Sequence, residues 1–276
     1  MSSFDVQNLF SVSGKVVLVT GGSRGIGKMI ATGFVKNGAK VYISSRTAKD
    51  CEETAKELNA LGPGKCIPIA ADMQKLSDVD KLVNAISSQE KALHVLVNNA
   101  GAAWGDKFDT YPDHAWTKVL TLNLHRVFTL TQKCLPLLRA AAKEGGKQGE
   151  AYLDPARIIN IGSVEGITVP DHETYAYSAS KAGLHHLSRT MGGRLGWEGI
   201  TSNIIACGPF PSKMTAWSFE NEWDDMSEKI PLTRVGTPED VAGTALFLAS
   251  RAGAYVNAAT VTLDGGMTST FPRSRL

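Results

Sequence analysis

Short runs of β-branched and apolar residues alternate along this chain with longer stretches in which apolar positions recur every three to four residues. The runs Val16–Thr20, Lys40–Ser45, Cys66–Ala71, His94–Asn98, Arg157–Gly162, Thr201–Ala206 and Thr260–Leu263 predict strands. Between them the helical period predicts helices over roughly 25–37, 48–61, 77–88, 113–142, 175–197 and 238–250. In the first of these Ile26, Ile30 and Phe34 keep the helical rhythm, and Gly38 supplies a stop. Strand and helix in this alternation predict an α/β fold, a doubly wound parallel sheet of about seven strands with helices on both faces. Two stretches break the rhythm. The Gly/Lys-rich Lys143–Asp154 reads as a surface loop, and Phe210–Thr233, after the sixth strand, is the expected place for substrate contacts.

Composition narrows the partners more than the fold. The 276 residues, 43% hydrophobic, suffice for one sizeable core, so 1–276 is expected to be a single domain. Lys plus Arg number 29 against 27 Asp plus Glu, a net charge of +2 with the signs interspersed. No basic stripe is present, which predicts partners other than nucleic acid or a membrane surface. Cys51, Cys66, Cys134 and Cys207 are scattered without CxxC spacing, so neither a disulfide framework nor a zinc site is expected. Met1–Ser13 lacks the basic and apolar segments of a secretory signal, and no stretch approaches a membrane span. Ser274-Arg275-Leu276 resembles the Ser-Lys-Leu peroxisomal address. It predicts a peroxisomal protein if the source is eukaryotic and a cytoplasmic one otherwise; the alternative is a plain polar tail.

The first strand runs directly into Gly21-Gly22-Ser23-Arg24-Gly25-Ile26-Gly27 and then a helix. In such a turn glycines let the backbone approach a pyrophosphate, and the helix start offers free N–H groups and partial positive charge. Thr20, Gly21, Gly25 and Gly27 carry the Thr-Gly-x-x-x-Gly-x-Gly spacing, and here the chain resembles the short-chain dehydrogenase/reductase family from about Ser13 to Gly266. The resemblance implies a Rossmann-type fold. At the end of the second strand, where an NAD site would carry Asp or Glu, the chain has Ser44-Ser45-Arg46. Arg46 offers a planar fork of donors to a 2′-phosphate and Arg24 a second charge, which selects NADP(H) over NAD(H). The resemblance adds Ser23, Ile26, Ser45, Asp72 and Met73, and the Asn98-Asn99-Ala100-Gly101 turn, with Asn99, Ala100 and Gly101 at the cofactor.

Tyr177 and Lys181 stand four apart, on one face of a predicted helix. Free Tyr and Lys titrate near about 10 and 10.4, and a neighbouring cation would lower the phenol towards use as a proton donor. Ser163 ends the fifth strand, at the carboxyl edge where ligands of such sheets bind, and its hydroxyl can donate to a carbonyl oxygen. Asn123, in the long helix before it, matches the family's fourth member. The resemblance implies that Asn123 positions a water linking Lys181 to solvent, while Lys181 also holds the nicotinamide ribose. No metal is needed, because the cofactor supplies the reductant. His172, His185 and His186 read as surface or helix-packing residues.

After the sixth strand the chain departs from the family's Asn-x-x-x-Pro-Gly-x-x-x-Thr. It reads Asn203 to Ser212 with Cys207 in place of the Pro and Ser212 in place of the Thr; Gly208, Pro209 and Ser212 are kept as cofactor contacts. Cys207 is expected to be a small buried hydrophobe. The segment 210–233 then gathers Met214, Trp217, Phe219, Trp223 and Met226, read as a lid over an apolar pocket, with Phe210 and Trp217 as substrate contacts. The expected function is NADPH-dependent reduction of a ketone, a 3-oxoacyl thioester or other apolar carbonyl; the family resemblance implies a homotetramer. The alternatives are an NAD(P)-dependent secondary alcohol or polyol dehydrogenase and a non-catalytic NADP-binding redox sensor.

Overall fold

A computed structural model describes residues 4–212, 215 and 228–269. After a single helical turn, α1 (Val6–Leu9), the chain lays down β1 (Val16–Thr20), α2 (Gly25–Lys36), β2 (Lys40–Ser45), α3 (Ala48–Asn59), β3 (Lys65–Ala70), α4 (Leu76–Ser87) and β4 (Val95–Asn98). There follow α5 (Asp113–Leu120), α6 (Arg126–Glu144), β5 (Lys147–Gln148), β6 (Ala151–Tyr152), β7 (Ala156–Ile161), α7 (Tyr175–Leu195), β8 (Ile200–Cys207), α8 (Pro238–Ala249) and β9 (Thr260–Leu263). Seven strands form one sheet in the order β3-β2-β1-β4-β7-β8-β9, every neighbour parallel. The winding reverses between β1 and β4, and the crevice beyond their carboxyl ends is where such sheets bind ligands.

The strands are buried on both faces, as their unbroken apolar runs require. Val17 and Val19 pack with Ile30, Phe34 and Leu248 on one side, while Leu18 and Leu96 pack with Leu82, Leu130 and Leu138 on the other. Strand periodicity thus divides one run of sequence between two cores. Arg157, 1% exposed, closes the far end: its Nε donates to Leu248 O (3.0 Å), and its Nη2 to Ser250 O and Asp154 Oδ1 (2.9 Å each). Lys15 reaches the other oxygen of Asp154 at 2.7 Å.

Two predicted segments differ. The helix expected over 113–142 is interrupted by a π-helical turn, Thr121–His125, which divides α5 from α6. The interruption goes with a long-range contact: Asn123 exchanges two hydrogen bonds with the Ala102 main chain, and π turns are frequent at functional sites. The expected loop Lys143–Asp154 instead extends α6 to Glu144 and then folds into the β5–β6 hairpin, with Lys147 Nζ 4.2 Å from the centre of the Tyr152 ring. Strands of two residues carry no readable alternation.

Candidate active site

The crevice begins at Thr20. Its Oγ1 accepts the N–H groups of Asn99 and Ala100, both at 3.0 Å, and so ties the end of β1 to the end of β4. Asn99 Nδ2 donates to Thr20 O (2.8 Å) and Gly21 O (3.2 Å). A Cβ at Gly27 would lie 2.3 Å from Gly21 O, so no other residue fits there without moving main chain. Gly21 itself has φ +64°, which glycine adopts without strain. Gly25 opens α2, whose N-terminus has no side-chain cap, and its unpaired N–H groups suit an anion. Ser212 stands opposite, 3.4 Å from where a Gly25 Cβ would be.

Around this cradle Arg24 and Arg46 are exposed, and neither makes an ion pair among the described residues. Ser23 O accepts from Thr54 Oγ1 (3.0 Å), and Ser45 Oγ lies 3.0 Å from Cys51 Sγ. Asp72 Oδ1 accepts the Gln74 N–H at 3.1 Å. Met73 is 5% exposed and belongs to the core, which leaves only its main chain for a ligand. Ile26 packs partly buried against the core, and Gly208 crowds the Asp264 main chain, 2.9 Å from a would-be Cβ. A pyrophosphate fits this arrangement, because a glycine cradle, an open helix start and two unpaired guanidinium groups all answer negative charge.

The second half of the crevice is built from side chains. Ser163 leaves the end of β7 7% exposed; its Oγ accepts the Glu165 N–H (3.1 Å) and lies near enough to the Tyr177 phenol to act on its pKa. Tyr177 and Lys181 sit one turn apart on α7, with Lys181 Nζ 5.5 Å from the Tyr177 ring centre and donating to Ile161 O at 2.7 Å. Asn123, 1% exposed, donates through Nδ2 to Ala102 O (2.9 Å) and to Ser180 Oγ (3.0 Å), which in turn donates to Tyr177 O (2.7 Å). Gly101 closes the ring, 3.3 Å from a would-be Cβ to Asn123 Oδ1. The four predicted members thus converge from the π turn, β7 and α7.

Residues 15–223 match the family model for short chain dehydrogenase. The chain belongs to the short-chain dehydrogenase family. This dehydrogenase is 44% identical over 260 residues to a Pseudomonas aeruginosa rhamnolipids biosynthesis 3-oxoacyl-[acyl-carrier-protein] reductase, covering 93% of this chain and 97% of that one. It is 32% identical over 266 residues to an Escherichia coli 5-keto-D-gluconate 5-reductase, covering 95% and 98%. The solved Pseudomonas aeruginosa RhlG/NADP active-site complex superposes with a TM-score of 0.87 at 43% identity, over 94% of this chain and 98% of that one.

The electrostatics of the dehydrogenase site differ from the expectation that a nearby cation lowers the phenol. Burial pushes the Tyr177 phenol up, against the opposing pull of the Ser163 hydroxyl. Burial also lowers Lys181, to about 8. At neutral pH the phenol therefore holds its proton and the lysine is mostly an ammonium. Cys207 is buried, its thiol pushed up to about 12 by burial.

Phe210 is a correction. Its side chain is 2% exposed and lies in the core under Gly236, where any Cβ would meet the ring at 2.2 Å, so it presents almost no surface to a substrate. With Pro209, Leu232 and Arg234 it lines a cavity of only about 100 Å³. Met214, Trp217, Phe219, Trp223 and Met226 lie outside the described residues, as does Ser274-Arg275-Leu276.

Three contributors were not among the site residues expected from the sequence, which offered His185 only as a surface or helix-packing residue. His185, 3% exposed, fills the space that Gly162 and Gly166 leave, and its Nε2 accepts the Ser163 N–H at 3.4 Å. Burial, with Lys181 and Arg189 adding repulsion, lowers its imidazole to about 4 and keeps it neutral. Glu165 Oε2 accepts from Thr174 Oγ1 (2.6 Å) and Ser178 Oγ (2.8 Å). Tyr111 Oη accepts the Ala176 N–H at 3.3 Å, one residue before Tyr177.

Proposed function

We propose that this short-chain dehydrogenase reduces the ketone of a 3-oxoacyl thioester to a secondary alcohol with NADPH. The observation that carries the reading is the convergence of Asn123, Ser163, Tyr177 and Lys181 beside a cradle flanked by two unpaired arginines. Gly21, Gly25 and Gly27 with Ser212 would hold the pyrophosphate, Arg24 and Arg46 the 2′-phosphate, and Asp72, Asn99, Ala100 and Gly101 the adenosine side. Bound NADPH supplies the hydride. Tyr177 Oη holds the proton that the carbonyl oxygen receives. Because Ser163 Oγ already accepts from Glu165 N–H, its own hydrogen is free to point at that same oxygen. Lys181 keeps positive charge beneath the phenol and would hold the nicotinamide ribose. Both amide hydrogens of Asn123 are engaged by Ala102 and Ser180, which supports a bracing role; a water link to Lys181 would use its main chain or Oδ1.

The acyl reading draws support from the Pseudomonas aeruginosa relative and from an aromatic wall at the mouth. Tyr175 packs edge-on against Phe108 and Tyr111, each with ring centres 5.4 Å apart, two residues before Tyr177. The Escherichia coli relative supports a second reading, a sugar-acid ketone or polyol handled by the same four residues. A NADPH oxidation screen of 3-oxoacyl thioesters, aromatic ketones and keto-sugars, with NADH in parallel, separates them. Fast turnover of thioesters with NADPH is expected, and turnover confined to polyols with NAD would overturn the reading. Binding of NADP(H) without turnover of any carbonyl would point to a sensor instead.

We infer a homotetramer as the working assembly, with Phe128 on α6, 46% exposed, and Trp116 on α5, 37% exposed, as apolar surface for it. Leu130 on α6 and Leu195 on α7 are core residues, at 2% and 8%, and add nothing to that surface. Sedimentation velocity gives the count. In a eukaryotic host Ser274-Arg275-Leu276 would direct the enzyme to peroxisomes, and deletion of the tripeptide fused to a fluorescent reporter tests that.

A further inference from the structure

Glu165 occupies an unusual position for a carboxylate. It lies two residues beyond Ser163, in the helical turn Val164–Gly166, and its own N–H donates to the Ser163 hydroxyl. Its Oε2 is held by the hydroxyls of Thr174 and Ser178, which bracket Tyr177 in sequence and begin α7. These two O–H donors fix where the carboxylate sits. Among the described residues no cation pairs with Glu165, so its charge is fixed in place and not neutralised. That charge acts on both Tyr177 and Lys181. Among the described residues two further titratable groups lie close by, and both are uncharged at neutral pH: the Cys207 thiol and the His185 imidazole stay neutral under burial. Lys181 directs its ammonium to Ile161 O instead of to Glu165. On the same loop Glu173 adds like charge at the mouth, where it accepts from Tyr175 Oη at 3.1 Å, while Asp171 is paired with Lys229.

We propose that Glu165 sets the charge selectivity of the site, favouring ketones flanked by a neutral ester or thioester over ketones that carry a free carboxylate a few bonds away. The inference rests on the ketone-reductase reading and deepens it. A second negative charge brought beside Ser163 and Tyr177 meets Glu165 in a partly desolvated crevice, where like charges are poorly screened. A thioester brings no such charge near the ketone, since the charges of a carrier lie at the far end of its arm.

The matched probes are 3-oxobutanoate as free acid, as methyl ester and as N-acetylcysteamine thioester, compared by kcat/KM with NADPH in wild type, E165Q and E165D. The ester-to-acid ratio cancels any loss of catalysis common to both substrates. It should fall about tenfold in E165Q and persist in E165D, which keeps the charge. In parallel, 3-oxobutanoate should bind the NADPH-loaded E165Q protein more tightly than wild type, read by nicotinamide fluorescence. An unchanged ratio and unchanged acid affinity in E165Q overturn the proposal, and so does equal loss of selectivity in E165D. If wild type turns over neither ester nor thioester, the ketone-reductase reading fails, while the binding comparison still decides the charge selectivity.

Discussion

The two halves of the crevice are made of different materials. On the β1–α2 side the site is backbone: a helix start without a cap, glycines at which a Cβ would strike main chain, and two exposed arginines without an ion pair among the described residues. On the β7–α7 side it is a buried network of side chains, with Asn123, Ser163, Lys181 and His185 at 1%, 7%, 6% and 3% exposure. The first half can wait in water because its donors are hydrated until a phosphate arrives. The second must be pre-organised, since an unpaired polar group in a buried site costs free energy and a misplaced proton donor is idle. Binding and chemistry should therefore be separable by mutation.

The largest effect expected is on the chemical half. Tyr177→Phe removes the proton donor and should lower kcat by about 10²- to 10⁴-fold with NADPH affinity little changed, measured by single-turnover kinetics beside fluorescence titration. A matching loss of NADPH affinity would break the separation. Arg46→Asp makes the opposite cut: the KM for NADPH should rise about 10- to 100-fold while that for NADH moves little, since a charge-assisted contact is replaced by repulsion. Equal effects on the two cofactors would remove Arg46 from the phosphate site. Gly27→Ala should weaken NADPH binding by about tenfold, because overpacking the turn displaces Gly21 at a cost of about 1–3 kcal/mol.

The smallest effect is a change with pH, and it sharpens the comparison because Lys181 enters both activity and stability. Its value is lowered from 10.5 to about 8, mainly by burial. Reductase kcat/KM should be level below pH 8 and decline above it as the ammonium is lost. Stability runs the other way. Between about pH 8 and 10.5 the unfolded chain binds the proton that the folded chain has released, so this group's contribution to stability rises with pH across that window. Urea unfolding and initial rates measured over the same pH range should diverge there, and Lys181→Met should abolish the divergence.

Much of this was legible in advance. The strands β1, β2 and β9 coincide with their predicted spans, and the other four sheet strands shift by a residue at one or both ends, because apolar runs bounded by turn residues mark a buried strand clearly. The glycine spacing, Arg46 and the Tyr177–Lys181 interval could be read because each depends on local geometry. What escaped depends on packing between distant segments. The π turn at Thr121–His125 goes with the bonds of Asn123 to Ala102, 21 residues away. His185 looked like one packing residue among several until the Gly162 and Gly166 gaps placed its ring against Ser163. Phe210 looked like a pocket residue for the same reason in reverse: the sequence shows an aromatic ring beside the sixth strand but not which way it turns.

Sequence alone determined the layered α/β architecture and the glycine turn after β1, because strand alternation, helix spacing and glycine conformation are local physics, and family resemblance pointed to Asn123, Ser163, Tyr177 and Lys181 as candidates. Tertiary structure decided their state. Burial keeps the proton on Tyr177 and lowers Lys181, and long-range contacts place an unneutralised Glu165 beside them. Desolvation and Coulomb forces depend on what surrounds a group in space, and the neighbours in question come from β7, α7 and the turn at Asn123, which only the folded chain brings together.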